Sequence, residues 1–135
     1  MKIKSLFFVV LSVVFLASCA KESTLPTPEL SSTEETVTVK TYTNSPAFSL
    51  NWDFTGGDAE IVKTYIQFSS DKEFISSHVA SASGNSYLVT YRDIQKMNAI
   101  FGETSDFVLY VRLLIEGEDV QSRYSNKLAI NIDLP

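Results

Sequence analysis

The chain has 135 residues, a formal net charge of −5 and one cysteine, Cys19. The acidic balance disfavours contact with nucleic-acid phosphates. A single cysteine excludes an internal disulfide framework, so the fold must hold together by its core alone.

Lys2 and Lys4 open the chain, residues 6–16 are apolar except Ser12, and Ala17 and Ser18 precede Cys19. This is the three-part build of a secretory signal peptide, and its apolar run is shorter than the about 20 residues that cross a bilayer. Leu16-Ala17-Ser18-Cys19 resembles a bacterial lipobox. The resemblance implies that residues 1–18 are removed and that Cys19 becomes a lipidated N-terminus outside the cytoplasm. Removal takes Lys2 and Lys4 with it, so 117 residues with a formal charge of −7 would remain. Such a chain gains nothing from anionic headgroups, and its membrane contact must come from acyl chains. Lys21-Glu22 resembles the short Lys-acidic signals that send some lipoproteins to the cell surface.

Residues 19–35 read as the lipidated cysteine and a flexible tether. Ser, Thr, Pro and Glu dominate after Cys19, with Leu25 and Leu30 as the sizeable apolar residues. That composition buries too little surface to offset chain entropy, and about 16 such residues could reach roughly 50 Å. Residues 36–135 then read as one domain.

Period-two alternation predicts seven strands. Val37 and Val39 mark the first. Phe48, Leu50, Trp52 and Phe54 alternate with Ser49, Asn51 and Asp53 in the second, and Gly56-Gly57-Asp58 ends it. Residues 61–68 form the third, with Val62, Thr64, Ile66 and Phe68 inward and Lys63, Tyr65 and Gln67 outward. Residues 76–82 form a weak edge strand carrying the single histidine, His78, as a solvated residue. Residues 87–90 follow. Residues 107–115 put Phe107, Leu109, Val111, Leu113 and Ile115 inward, and Val108, Tyr110, Arg112 and Leu114 outward. Residues 127–134 close the set. A helix over residues 91–101 interrupts the late strands, with Thr90 and Asp93 as a capping box and Gly102 as the C-cap. Ile94, Met97 and Phe101 are its core-facing residues.

Seven short strands and one helix predict an all-β, Ig-like sandwich. With no disulfide it is not antibody-type, and its Trp and Tyr positions look like a fibronectin type III arrangement. Trp52 is then a core residue. More specifically, Phe48-x-Leu50-x-Trp52, Thr64-Tyr65-Ile66-Gln67-Phe68 with Phe74, the capped helix, Val111-Arg112 and Tyr124-Ser125-Asn126-Lys127-Leu128 occur in an order similar to the N-terminal domain of SusE-type lipoproteins. The similarity covers most of residues 47–134 and includes the lipoprotein signal. It implies a place in a starch-utilisation-type glycan uptake system at the outer membrane, on its periplasmic or cell-surface side. The resemblance places starch binding in further C-terminal domains, which have no counterpart in these 135 residues.

Catalysis needs a nucleophile, base or metal brought together. His78 has no second His or free Cys to join it, so no catalytic residue, metal ligand or cofactor is assigned. Glu116, Glu118 and Asp119 read as a solvated acidic turn, since their spacing is not that of a calcium loop. The candidate binding face is outward-pointing Tyr65, Gln67, Tyr110 and Arg112, where aromatic rings lie beside hydrogen-bonding groups. The expected function is a non-catalytic, lipid-anchored binding or scaffold domain that assists glycan capture. Its expected partners are the membrane through Cys19, and oligosaccharide or outer-membrane transporter proteins. The alternative is a tethered protein-interaction module, an assembly subunit or inhibitor, with no glycan role.

Overall fold

The computed structural model describes residues 23–135. The signal segment, Cys19 and the first residues of the expected tether lie outside them. Ten elements follow in order: β1 Thr27–Ser32, β2 Thr36–Thr38, β3 Pro46–Thr55, β4 Lys63–Ser69, β5 His78–Ala82, β6 Ser86–Thr90, α1 Tyr91–Phe101, β7 Phe107–Glu116, β8 Arg123–Tyr124 and β9 Leu128–Asp133. Three strands form one sheet in the order β1-β3-β6. The other sheet runs β2-β9-β7-β4-β5, and β8 pairs with β7. All neighbours are antiparallel except β2 and β9, which run parallel. Among the described residues no helix is long and apolar enough to cross a membrane.

The two sheets close over one core. Leu30, Phe48, Leu50, Trp52 and Val89 come from the smaller sheet. Val37, Ile66, Phe68, Leu109, Val111, Leu113, Ile130 and Ile132 come from the larger. Trp52 is 2 % exposed, which at this size is a major part of the apolar burial. Its Nε1 is buried without a hydrogen-bond partner. Phe54, predicted to share that buried face, lies near the end of β3, beyond the core, and is exposed. Val62 is likewise exposed, because β4 starts one residue later, at Lys63.

The helix forms as the caps dictate. Thr90 Oγ1 accepts from the Asp93 amide at 3.1 Å, and Asp93 Oδ2 accepts from the Thr90 amide at 3.0 Å. Gly102 ends it in the left-handed region at φ 71°, which a glycine adopts without strain. Ile94 and Met97 are buried, and Phe101 packs at the core's margin.

The expected tether is the main departure. From Thr24 on, it belongs to the domain. β1 pairs with β3 from Thr27 opposite Thr55 to Ser32 opposite Leu50. Leu25, Pro26, Pro28 and Leu30 are buried, while Thr27, Glu29 and Ser31 face solvent. The strand alternates, but a proline fills one of its inward positions, so composition disguises it. Proline is tolerated because β1 is an edge strand, where one row of backbone groups needs no partner. The entering segment is pinned before that. Thr24 O accepts from the Asp58 and Ala59 amides at 3.0 Å each. Gly57 is needed there, since a Cβ would collide with the backbone of Leu25 and Pro26. With β1 and the two-residue β8 included, nine strands lie among the described residues, where alternation predicts seven.

Candidate binding face

Tyr65 and Gln67 on β4 alternate with buried Ile66 and Phe68, and Tyr110 and Arg112 on β7 alternate with buried Leu109, Val111 and Leu113. All four therefore lie on the side of the larger sheet away from the core. The register puts Gln67 opposite Arg112 and Tyr65 opposite Leu114. Arg112 Nε donates to Gln67 Oε1 at 2.7 Å. Tyr110 sits opposite Ser69, one row along.

This face is not bare. The loop between β4 and β5 folds back over it, and all four residues are half-buried. Ser69 and Asp71 build that loop. Ser69 Oγ donates to Ser76 O at 2.6 Å and accepts from the Asp71 amide at 3.1 Å. Asp71 Oδ1 and Oδ2 accept from the amides of Glu73 and Ile75 at 3.2 and 3.4 Å. Phe74 is thereby held at φ 54°, a left-handed conformation uncommon for a bulky residue and costing about 1–3 kcal/mol. Its ring lies 4.2 Å from Arg112 Cζ. Tyr124 on β8 brings a second ring to 3.9 Å from the same atom. Lys127 Nζ lies 5.8 Å from the Phe74 ring and donates to Lys72 O at 3.0 Å. Residues Phe74, Tyr124 and Lys127 join the site although alternation along β4 and β7 does not select them. Phe74 comes from the loop between β4 and β5, Tyr124 from a two-residue strand and Lys127 from the link between β8 and β9.

Tyr124 is placed by a clamp. Ser125 pairs with Leu113 of β7, amide to carbonyl at 3.0 Å and Leu113 amide to Ser125 Oγ at 2.8 Å. Asn126 then reaches the free edge of β1. Its Oδ1 accepts from the Leu30 amide at 2.8 Å and its Nδ2 donates to Leu30 O at 2.9 Å, as a neighbouring strand would. Arg123 Nη1 donates to Leu25 O and Thr27 Oγ1. Tyr124 is left 51 % exposed between two grooves. One of about 610 Å³ lies between the entering segment and residues 119–124, and the other, about 510 Å³, between β1 and residues 124–126.

His78 corrects the prediction of a solvated edge residue. It faces inward on β5, half-buried, with its ring 6.2 Å from that of Phe68. With Tyr87, Asp93, Lys96 and Met97 it lines a cleft of about 30 Å³, room for a water and not for a substrate. Burial raises the Tyr87 hydroxyl pKa above its usual value, and the Asp93 carboxylate adds to the rise. Among the described residues no three His, Cys, Asp or Glu side chains cluster as metal ligands would. Cys19 lies outside the described residues. No protein-family model matches this chain, and neither does any curated protein or solved structure.

Proposed function

We propose that this protein is a non-catalytic, lipid-anchored binding module of SusE-like type, which assists glycan capture at the outer membrane. The observation that carries the binding role is the cluster on the larger sheet. Tyr65, Gln67, Tyr110 and Arg112 occupy neighbouring rows, Arg112 is oriented by Gln67, and two further rings lie over its guanidinium. Rings beside fixed hydrogen-bonding groups suit sugars, whose C–H faces pack on aromatics while hydroxyls bond outward. The framework is read as an Ig-like, fibronectin type III-like β-sandwich. In support, the N-terminal strands divide between the sheets, and β2 runs parallel to the last strand, β9.

The anchor is Cys19. It stands five residues before Thr24, which is bonded to Asp58 and Ala59, so Cys19 lies within roughly 18 Å of that point. This reading puts the end of the domain bearing Asp58 and Gly117 close to the headgroups, in place of a domain swinging on a long tether.

Two measurements test the proposal. Cys19→Ala should move the protein from the membrane fraction to the soluble fraction, and persistence in membranes after a salt wash would overturn the anchor. A glycan array probed with wild type and with the Tyr65→Ser/Tyr110→Ser variant should show capture only for wild type. Capture of no glycan, together with co-purification of an outer-membrane transporter lost in the same variant, would favour a protein-interaction module.

A further inference from the structure

Among the described residues, Arg112 and Lys127 on the outer face of the larger sheet have no acidic partner, in a chain whose formal net charge is −5. Among the described residues, Arg112 makes one hydrogen bond, from Nε to Gln67 Oε1. That bond fixes the guanidinium, and the Phe74 and Tyr124 rings lie over it. Its two terminal nitrogens meet no acceptor among the described residues. Lys127 extends over the same Phe74 ring and bonds only a backbone carbonyl. Asp71, the carboxylate inside the covering loop, has both oxygens turned to backbone amides and neutralises neither cation. The terminal nitrogens are not buried and stay open to an incoming ligand, and a fork of this geometry matches a carboxylate or sulfate. The covering loop holds Phe74 against Arg112 at a strained φ of 54°, so the arrangement is built rather than incidental.

The surroundings select the rest of the ligand. Exposed Tyr124 divides two grooves: Thr27, Ser125 and Asn126 line one beside Glu29, and Ser23, Thr24 and Gln121 line the other beside Asp119. A protein partner is bound best by an apolar centre. Hydroxyls and amides around one open ring suit a hydroxylated ligand, and the Glu29 and Asp119 carboxylates leave the Arg112 side as the place for an anionic group.

We propose that the Arg112–Tyr124 site binds acidic oligosaccharide, the anionic group on the Arg112 fork with Lys127 nearby, and the sugar ring on Tyr124. The inference rests on the glycan-capture reading and names the class of glycan.

The test is calorimetric titration of the full-length protein in detergent micelles. The probes are oligogalacturonate, the same oligosaccharide fully methyl-esterified, and a sulfated galactan oligosaccharide, each at low and high salt. At least one charged probe should bind about tenfold or more tighter than the neutral ester, with the advantage shrinking as salt rises. The carboxylated and sulfated arms identify which anion the site prefers. Arg112→Gln should reduce the charged probe to the level of the ester, while Tyr124→Ala should weaken charged and neutral probes alike. Exposed Lys127→Gln, which removes a surface charge, should lower the charged advantage by several-fold and serves should Arg112→Gln fail to fold. Equal affinity for acid and ester, or wild-type discrimination in folded Arg112→Gln or in Lys127→Gln, overturns the acidic-ligand inference and leaves glycan capture standing. Absence of binding to every glycan, neutral ones included, overturns both.

Discussion

Outward positions of the smaller sheet carry Thr27, Glu29 and Ser31 on β1, Ser49, Asn51 and Asp53 on β3, and Ser86 and Leu88 on β6. Outward positions of the larger sheet carry Tyr65, Gln67, Tyr110, Arg112 and Leu114, with Phe74 and Tyr124 laid against them. Both sheets bury the same kind of aliphatic and aromatic side chain inward, so the core does not explain this difference. One outer face is short, polar and acidic. The other is aromatic, carries an unneutralised guanidinium and is partly roofed by its own loop. A surface needed only for solubility would resemble the first. The second holds a strained Phe74 and an oriented Arg112, and such features persist where something besides stability maintains them.

The largest expected effect tests the shared inner surface. Trp52→Ala should cost about 3–5 kcal/mol in urea denaturation, because no disulfide limits the loss. Trp52→Phe should cost far less, under about 2 kcal/mol, since it removes the partnerless Nε1 along with part of the ring. A near wild-type Trp52→Ala would mean that the core is not shared between the sheets.

Next is the clamp that joins the two regions. Asn126→Ala removes both bonds to Leu30 and should cost about 1–3 kcal/mol, with faster amide exchange along β1. It should weaken ligand capture too, because Tyr124 loses its anchor. Unchanged exchange at Leu30 would separate the smaller sheet from the site.

A sharper comparison replaces equivalent outward pairs. Tyr65→Ser/Tyr110→Ser on the larger sheet and Ser49→Ala/Asn51→Ala on the smaller should each shift stability by about 1 kcal/mol or less. Only the first should abolish capture. Equal effects on capture would erase the functional difference between the faces.

The smallest effect lies on the acidic face. Glu29 and Asp53 are directly opposite in the β1–β3 register. Like charges so placed are unfavourable, and Glu29→Lys should stabilise by about 0.2–1 kcal/mol in thermal melts.

Much of this architecture is legible in the chain because alternation and capping are local. Phe48, Leu50 and Trp52 alternate with short polar residues, and Thr90, Asp93 and Gly102 mark the helix ends within a dozen residues. The facing of Tyr65, Gln67, Tyr110 and Arg112 follows from the same period, since a one-residue slip would bury Arg112 and Lys63 unpaired. Tertiary structure decided the rest. Whether residues 24–35 were tether or domain turned on partners far away in sequence: Asp58 for Thr24, β3 for residues 27–32, and Asn126 for Leu30. No local pattern encodes those pairings, and a proline at an inward position hides the alternation that would have hinted at them. The same holds at Arg112. Its strand gives its direction, but the rings over it arrive from residues 74 and 124, and the Ser69–Asp71 loop and the Ser125–Asn126 clamp carry them there. Secondary structure is set by neighbours along the chain, whereas a site is set by residues that only the folded core brings together.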